Sequence, residues 1–442
     1  MAWQNAPMSA FGRLAAIIVA LLVVIGIAVV GLNLADSSPT GELDGSASVS
    51  PSAQPSTNPD PTPSVAPSPP DPDEALAILE QIEQEVIAIR GLPAADIGAP
   101  DLITRAELGE ELTQLFEEEY PPEEQERDNI ALRALGLLGP DQDVAELQLQ
   151  LLGDQVLGFY DDVEKRMVVV TDAGLDANAK LTYAHEYTHA LQDAAFGLDS
   201  LETDAVGEDD RGLARTGLIE GDATVTMLAW AFANLTPEEL VEIGTGAVVP
   251  DTTGIPSWMV RQLEFPYTDG FNWAAALAGD PTDPDFTELD AAFGEPPDST
   301  EQIIDLDKWA AREEPAAVEL PDLAAELGDG WEEVDSTPIG EATIRIILEY
   351  HGVSRDEALA AGAGWGGDRC VIASTDDGEF AVAWRLSWDS SADAGEFIDA
   401  YRGIVDSLPV SAVVTDIGEG DVLVVHGSSD DILRRTVDAV GG

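Results

Sequence analysis

Residues 14–34, LAAIIVALLVVIGIAVVGLNL, are 21 consecutive residues without a charge. That length matches the roughly 20 residues a helix needs to cross the hydrocarbon core of a bilayer. Such a run is either a retained membrane span or a long signal sequence. Cleavable signals carry an apolar stretch of about 7 to 15 residues, so the length favours a single-pass transmembrane helix; cleavage near Ala35 with secretion is the alternative. Arg13 precedes the run and Asp36 follows it. The positive-inside tendency therefore leaves residues 1–13 cytoplasmic and everything after 35 outside the cell membrane.

The compact fold must begin later. Residues 35–72 are rich in Ser, Pro, Thr and Asp with few large apolar groups, so they cannot offset the entropy of ordering and are expected to form a disordered tether. From Asp73 onward Leu76, Leu79, Ile82, Val86 and Ile89 recur at three- and four-residue steps, as on one helix face. Three more helices are expected: one opened by the Thr104/Glu107 capping box, one by Pro121, and one over 143–152. The period then changes, and QVLGFYD and RMVVVTD read as a β-hairpin around the polar DVEK.

Helical spacing returns over 176–195, 209–235, 237–243 and 256–278. After a Pro- and Asp-rich interruption, CVIASTDDGEFAVAWRLSW reads as a second hairpin, followed by a helix over 392–408, strands over 410–415 and 422–426, and a terminal helix. The expected class is α+β: a mainly helical unit over 73–313 with a hairpin edge strand, and a small α+β unit over 338–442, the boundary falling between Glu313 and Pro338.

Charge excludes some partners. The formal charge is -65, from 85 acidic and 20 basic residues, and Lys165, Lys180 and Lys308 are the only lysines. Phosphate backbones need clustered Lys and Arg, so nucleic acid is set aside; the acidity reads as a solvated, self-repelling surface. Cys370 is the only cysteine. An internal disulfide and a lipoprotein anchor near residue 35 are thus both excluded, and Cys370, preceding an apolar strand, reads as a small core side chain.

The chemistry concentrates in LTYAHEYTHALQDA. On a helix His185 and His189, four apart, project from one face and can converge on one ion, with Glu186 beside it. A catalytic Zn²⁺ normally takes three protein ligands and keeps an open position for water. Glu220 in GLIEGDATVTML is the candidate third ligand, with Gly221 allowing another backbone to approach. His351 and His426, the remaining histidines, are far along the chain.

HEYTH followed some thirty residues later by EGDA resembles the gluzincin-type zinc metallopeptidases, the group that includes thermolysin. In the order helical lead-in, QVLGFYD, HEYTHALQD, LIEGDAT, EFPYTDGFNW, PPDSTEQI and GWGGDR, residues 73–408 also resemble a bacterial family of metallopeptidase-like proteins known mostly from sequence. The resemblance implies a zincin-like fold over 73–313 and a hydrolase acting on a peptide or protein substrate. Its metal ligands would be His185, His189 and Glu220, its cofactor Zn²⁺, and Glu186 the general base acting on a zinc-bound water. Thermolysin-like enzymes carry an Asp four residues after the glutamate ligand, where this chain has Thr224, so the orientation of His185 must come from elsewhere, with Asp222 as a candidate. Asp305 and Leu306 stand where a His-Pro is expected in relatives.

Tyr267, Tyr187 and His351 are candidate donors to a tetrahedral oxyanion. The strand VLGFYD is a candidate edge for an extended substrate. GWGGDR lacks the Lys-Ser/Thr of a phosphate loop and reads as a tight turn, with Arg369 pairing a carboxylate. The competing function is a non-catalytic cell-envelope binding protein that keeps a structural metal site.

Overall fold

The structure, a computed structural model, describes residues 71–152, 157–172, 174–246 and 252–441. The apolar run 14–34 and most of the tether lie outside the described residues. Within them no helix is long and apolar enough to cross a membrane.

The first half is mainly helical. Its elements are α1 (Pro72–Arg90), β1 (Asp101–Ile103), α2 (Arg105–Glu119), α3 (Pro122–Ala134), α4 (Val144–Leu152), β2 (Gly158–Asp161), β3 (Arg166–Val170), α5 (Ala177–Phe196), α6 (Asp209–Asn234) and α7 (Pro237–Gly246). Then come α8 (Ser257–Phe265), a π turn (Pro266–Gly270), α9 (Phe271–Ala278), α10 (Thr287–Gly294), α11 (Thr300–Ile304) and α12 (Leu306–Ala311). The Thr104/Glu107 capping box closes as its sequence requires. The helical pattern over 256–278 is interrupted by the π turn, a rare element that often marks functional sites.

The hairpin is the larger part of a three-stranded sheet. The strand order is β1-β3-β2, with β1 parallel to β3 and β2 antiparallel to it. At three residues β1 carries too little pattern to be read ahead. Among the described residues no strand pairs the other side of β2, and β2 packs on α5.

The remainder of the chain forms α13 (Leu323–Leu327), β4 (Trp331–Thr337), α14 (Gly340–Tyr350), α15 (Arg355–Gly362), β5 (Trp365–Thr375), β6 (Phe380–Trp388), α16 (Ser391–Val405), β7 (Ser411–Gly418), β8 (Asp421–Gly427) and α17 (Asp430–Val440). Its five strands run in the order β4-β5-β6-β8-β7, every neighbouring pair antiparallel. The expected boundary window thus contains β4, an edge strand of this sheet. Its acid-rich WEEVDST and the helices α14 and α15 escaped the sequence expectation.

The chain is α+β, and its two parts share apolar cores. One cluster joins Leu132, Leu135, Trp258 and Met259 to Ile344, Trp384, Phe397 and Tyr401 of the later segment. His426 Nδ1 lies 2.8 Å from the carbonyl oxygen of Ala134 and bridges the same junction. A second cluster packs α1, α5 and α6 together through Leu79, Val86, Ala184, Leu191 and Trp230.

Candidate metal centre

Helix α5 starts where the Asp176 side chain accepts from the Ala179 N–H at 2.9 Å and ends at Gly197. Almost all of its residues from Ala177 to Asp193 are buried, so the HEYTH turn lies inside protein on every side. Helix α6 crosses it, bringing Glu220 to the two histidines.

That crossing is tight because of glycine. A Cβ on Gly221 would sit 2.4 Å from the Gly270 carbonyl oxygen, and one on Gly270 would sit 2.5 Å from the Gly217 carbonyl oxygen. The π turn can therefore lie directly on α6, as the expectation for Gly221 required. It presents the buried Tyr267, whose ring centroid lies 6.2 Å from that of His185.

His185 Nε2 lies 3.0 Å from Glu220 Oε2, His189 Nε2 3.6 Å from the same oxygen, and the two Nε2 atoms 3.1 Å apart. One potential ligand atom from each of the three residues falls within 4.8 Å of the others. His185 and Glu220 have no exposure and His189 has 3%. The group can hold a metal ion, and two imidazole nitrogens with one carboxylate suit a divalent cation. Glu220 Oε1 is buried without a hydrogen-bond partner, leaving an acceptor for such an ion.

The electrostatics fit as well. Burial alone would raise the Glu220 carboxyl, but His189 and then His185 hold it at about 2. Burial pulls His189 down, yet the Glu220 and Glu186 carboxylates carry it up to about 9, while His185 is lowered, mainly by burial. A buried carboxylate here is stabilised by positive charge, the condition a bound cation also meets.

Glu186 sits beside the ligands at 1% exposure, and burial raises its carboxyl to about 8. Its Oε2 accepts the backbone N–H of Tyr160 at 3.1 Å, and its Oε1 has no partner. The sheet register explains the first contact. Val170 N–H donates to the Leu157 carbonyl, so Leu157 and Phe159 turn their backbone groups toward β3, and the alternating residues Gly158 and Tyr160 turn theirs to the free edge.

Orientation of the histidines differs from expectation. Asp222 does not reach His185; it acts on the other histidine through Gln192, a residue the sequence reading missed. His189 Nδ1 lies 2.9 Å from Gln192 Oε1, and Gln192 Nε2 donates to Asp222 at 2.8 Å and to the Ile219 carbonyl at 3.0 Å. An Nδ1–H donated to Gln192 aims His189 Nε2 at Glu220, where the imidazolium carries a proton that it must give up to ligate a cation. Asp222 is in turn paired with the buried Arg90 at 3.0 Å, which reaches Asp290 at 2.6 Å and lies 4.5 Å from the Phe286 ring centroid. His185 Nδ1 and Thr224 Oγ1 are buried without partners. A signal for Gln192 existed: it follows His189 by three positions, on the same helix face.

Other candidates lie elsewhere. Tyr187 packs in the cluster between α1 and α5, its ring stacked 6.2 Å from that of Tyr183. His351 lies beside Tyr350 and Gly136. Cys370 is 1% exposed, and burial pushes its thiol well up, as befits an inert core position.

The GWGGDR and PPDSTEQI segments act as braces. Asp368 accepts from the backbone of Ile339 and Gly340 and from the indoles of Trp365 and Trp384. Arg369 donates to the carbonyls of Gly207 and Ser336, where a carboxylate partner was expected, because its side chain crosses from the sheet to the loop preceding α6. Thr300 binds Asp210 in the first turn of α6, and Asp305 caps α12.

A family model described as a domain of unknown function (DUF8575) matches residues 326–438, which hold the five-stranded sheet and its helices. No curated protein and no solved structure matches the chain.

Proposed function

We propose that the protein is a zinc metallopeptidase of gluzincin type, displayed outside the cell by an N-terminal anchor. The observation that carries this reading is the convergence of His185, His189 and Glu220 with the partly unpaired carboxylate of Glu186 beside them, Glu186 being tied to the edge strand through the Tyr160 N–H. Zinc held by the three ligands would supply Lewis acidity, acidifying water and polarising a peptide carbonyl.

The chain's own groups provide the rest. Glu186 takes a proton from the attacking water and delivers it to the leaving amine. With the Tyr160 N–H committed to Glu186, the outward N–H and carbonyl of Gly158 and the carbonyl of Tyr160 bind an extended peptide as an added strand and place its scissile bond at the metal centre. Tyr267, buried with its ring 6.2 Å from that of His185, packs against the centre. Burial of the whole group excludes bulk water and strengthens each of these interactions.

The test is metal analysis of the full-length chain together with cleavage of a peptide library, with and without chelator. One zinc per chain and cleavage that chelation stops and zinc restores are expected. Zinc at that stoichiometry with no cleavage of any peptide overturns the enzyme reading in favour of a structural metal site. Protease accessibility on intact cells checks the orientation, the folded region being expected outside.

A further inference from the structure

A cleft on the far side of the π turn gathers Arg261, Arg345 and Arg355 between α8, α14 and α15. Three arginines at one place stand out where acidic residues outnumber basic ones 85 to 20. The cleft is open to solvent.

Internal pairing uses only part of their donors. Arg261 faces Glu264 at 3.0 Å and Glu349 at 3.7 Å. Arg345 pairs with Glu341 through one terminal nitrogen, and its buried Nε has no acceptor. Arg355 is exposed and has no acidic partner among the described residues. Phe265, Ile346 and Leu359 line the same cleft as an apolar wall.

We propose that this cleft binds the carboxylate end of a peptide whose last side chain is apolar. The exposed guanidinium of Arg355, in the same cleft as Arg345, suits a planar carboxylate, which a guanidinium binds as paired hydrogen bonds. A phosphate dianion fits less well, because Asp269 and Glu349 also line the cleft. The ligand is defined by groups outside the metal centre, so the proposal does not rest on the peptidase reading.

The experiment titrates N-acetyl-leucyl-leucine, its C-terminal amide and inorganic phosphate into the full-length chain by calorimetry. Metal is first removed with chelator so that no probe can ligate an ion. The acid is expected to bind about tenfold or more tightly than the amide, the scale of charge-assisted hydrogen bonds, and more tightly than phosphate. Arg355→Gln, an exposed change that keeps the fold, is expected to weaken the acid about tenfold with an unchanged melting temperature, and Arg345→Gln to weaken it further. Equal binding of acid and amide, tighter binding of phosphate, an unchanged affinity in Arg355→Gln, or no binding of the acid at about 10 mM, the scale of very weak association, overturns the proposal.

Discussion

The backbone N–H of Tyr160 and the carboxylate of Glu186 meet at 3.1 Å, tying the edge strand to the group beside the candidate metal ligands. The contact places the candidate base at a fixed point on the side where a bound peptide would lie.

Glu186→Gln keeps the shape and the acceptor for Tyr160 but cannot take a proton. Zinc content is expected to stay at the wild-type level while kcat/KM falls about 10²- to 10⁴-fold, the usual worth of a positioned acid–base group. Wild-type turnover in the metal-loaded variant would remove Glu186 from the mechanism.

Gln192 links His189 to Asp222 and thereby to Arg90. Gln192→Leu is expected to weaken zinc binding about 10- to 100-fold, as loss of groups that orient a ligand does. Competition against a chelating dye measures this, and an unchanged affinity would show that the link does not orient His189.

Gly221→Ala forces a methyl group against the Gly270 carbonyl. A loss of about 1 to 3 kcal/mol is expected in denaturant unfolding, the range for overpacking. Gly403→Ala, on a helix with open space around the added carbon, is expected to gain about 0.5 to 1 kcal/mol. Equal effects at the two positions would mean that the close crossing of α6 and the π turn does not constrain Gly221.

Asp210 is buried under Thr300, and burial, aided by Asp368, raises its carboxyl to about 7. A folded-state value above the unfolded one near 4 means that the native protein holds a proton the unfolded chain has released. Its contribution is complete below about pH 4 and is lost as pH rises through about 7. Stability is thus expected to fall by on the order of 2 kcal/mol between about pH 5 and pH 8 through this group. Asp210→Asn is expected to flatten that slope in melting curves, and an unchanged slope would place the effect on other groups.

Apolar period makes the helices legible in the sequence, and it places His185 and His189 on one face. Glu220 was legible from the resemblance to known peptidases and from its own helix pattern. The polar chain from Gln192 to Arg90 was not, because polar side chains on helices ordinarily face water and these are buried only by the crossing of α1, α5 and α6. β1 is too short to show alternation, and in β4 the sequence WEEVDST sets acids where an alternating apolar strand would show its period. Arg369 was assigned a carboxylate from composition alone, yet fold geometry gives it two carbonyls.

The junction at which Leu132 and Trp258 share a core with Trp384 and Phe397 ties together the histories of the two parts of the chain. Amino-acid drift in the sheet is constrained by helices more than a hundred positions away. A nick in the segment between α12 and β4 would leave two fragments that still need one another to hide their greasy faces from water. The later part is then less a detachable module than the second wall of one building, and any exchange of that wall between related proteins has to carry the matching face of α3 and α8 with it.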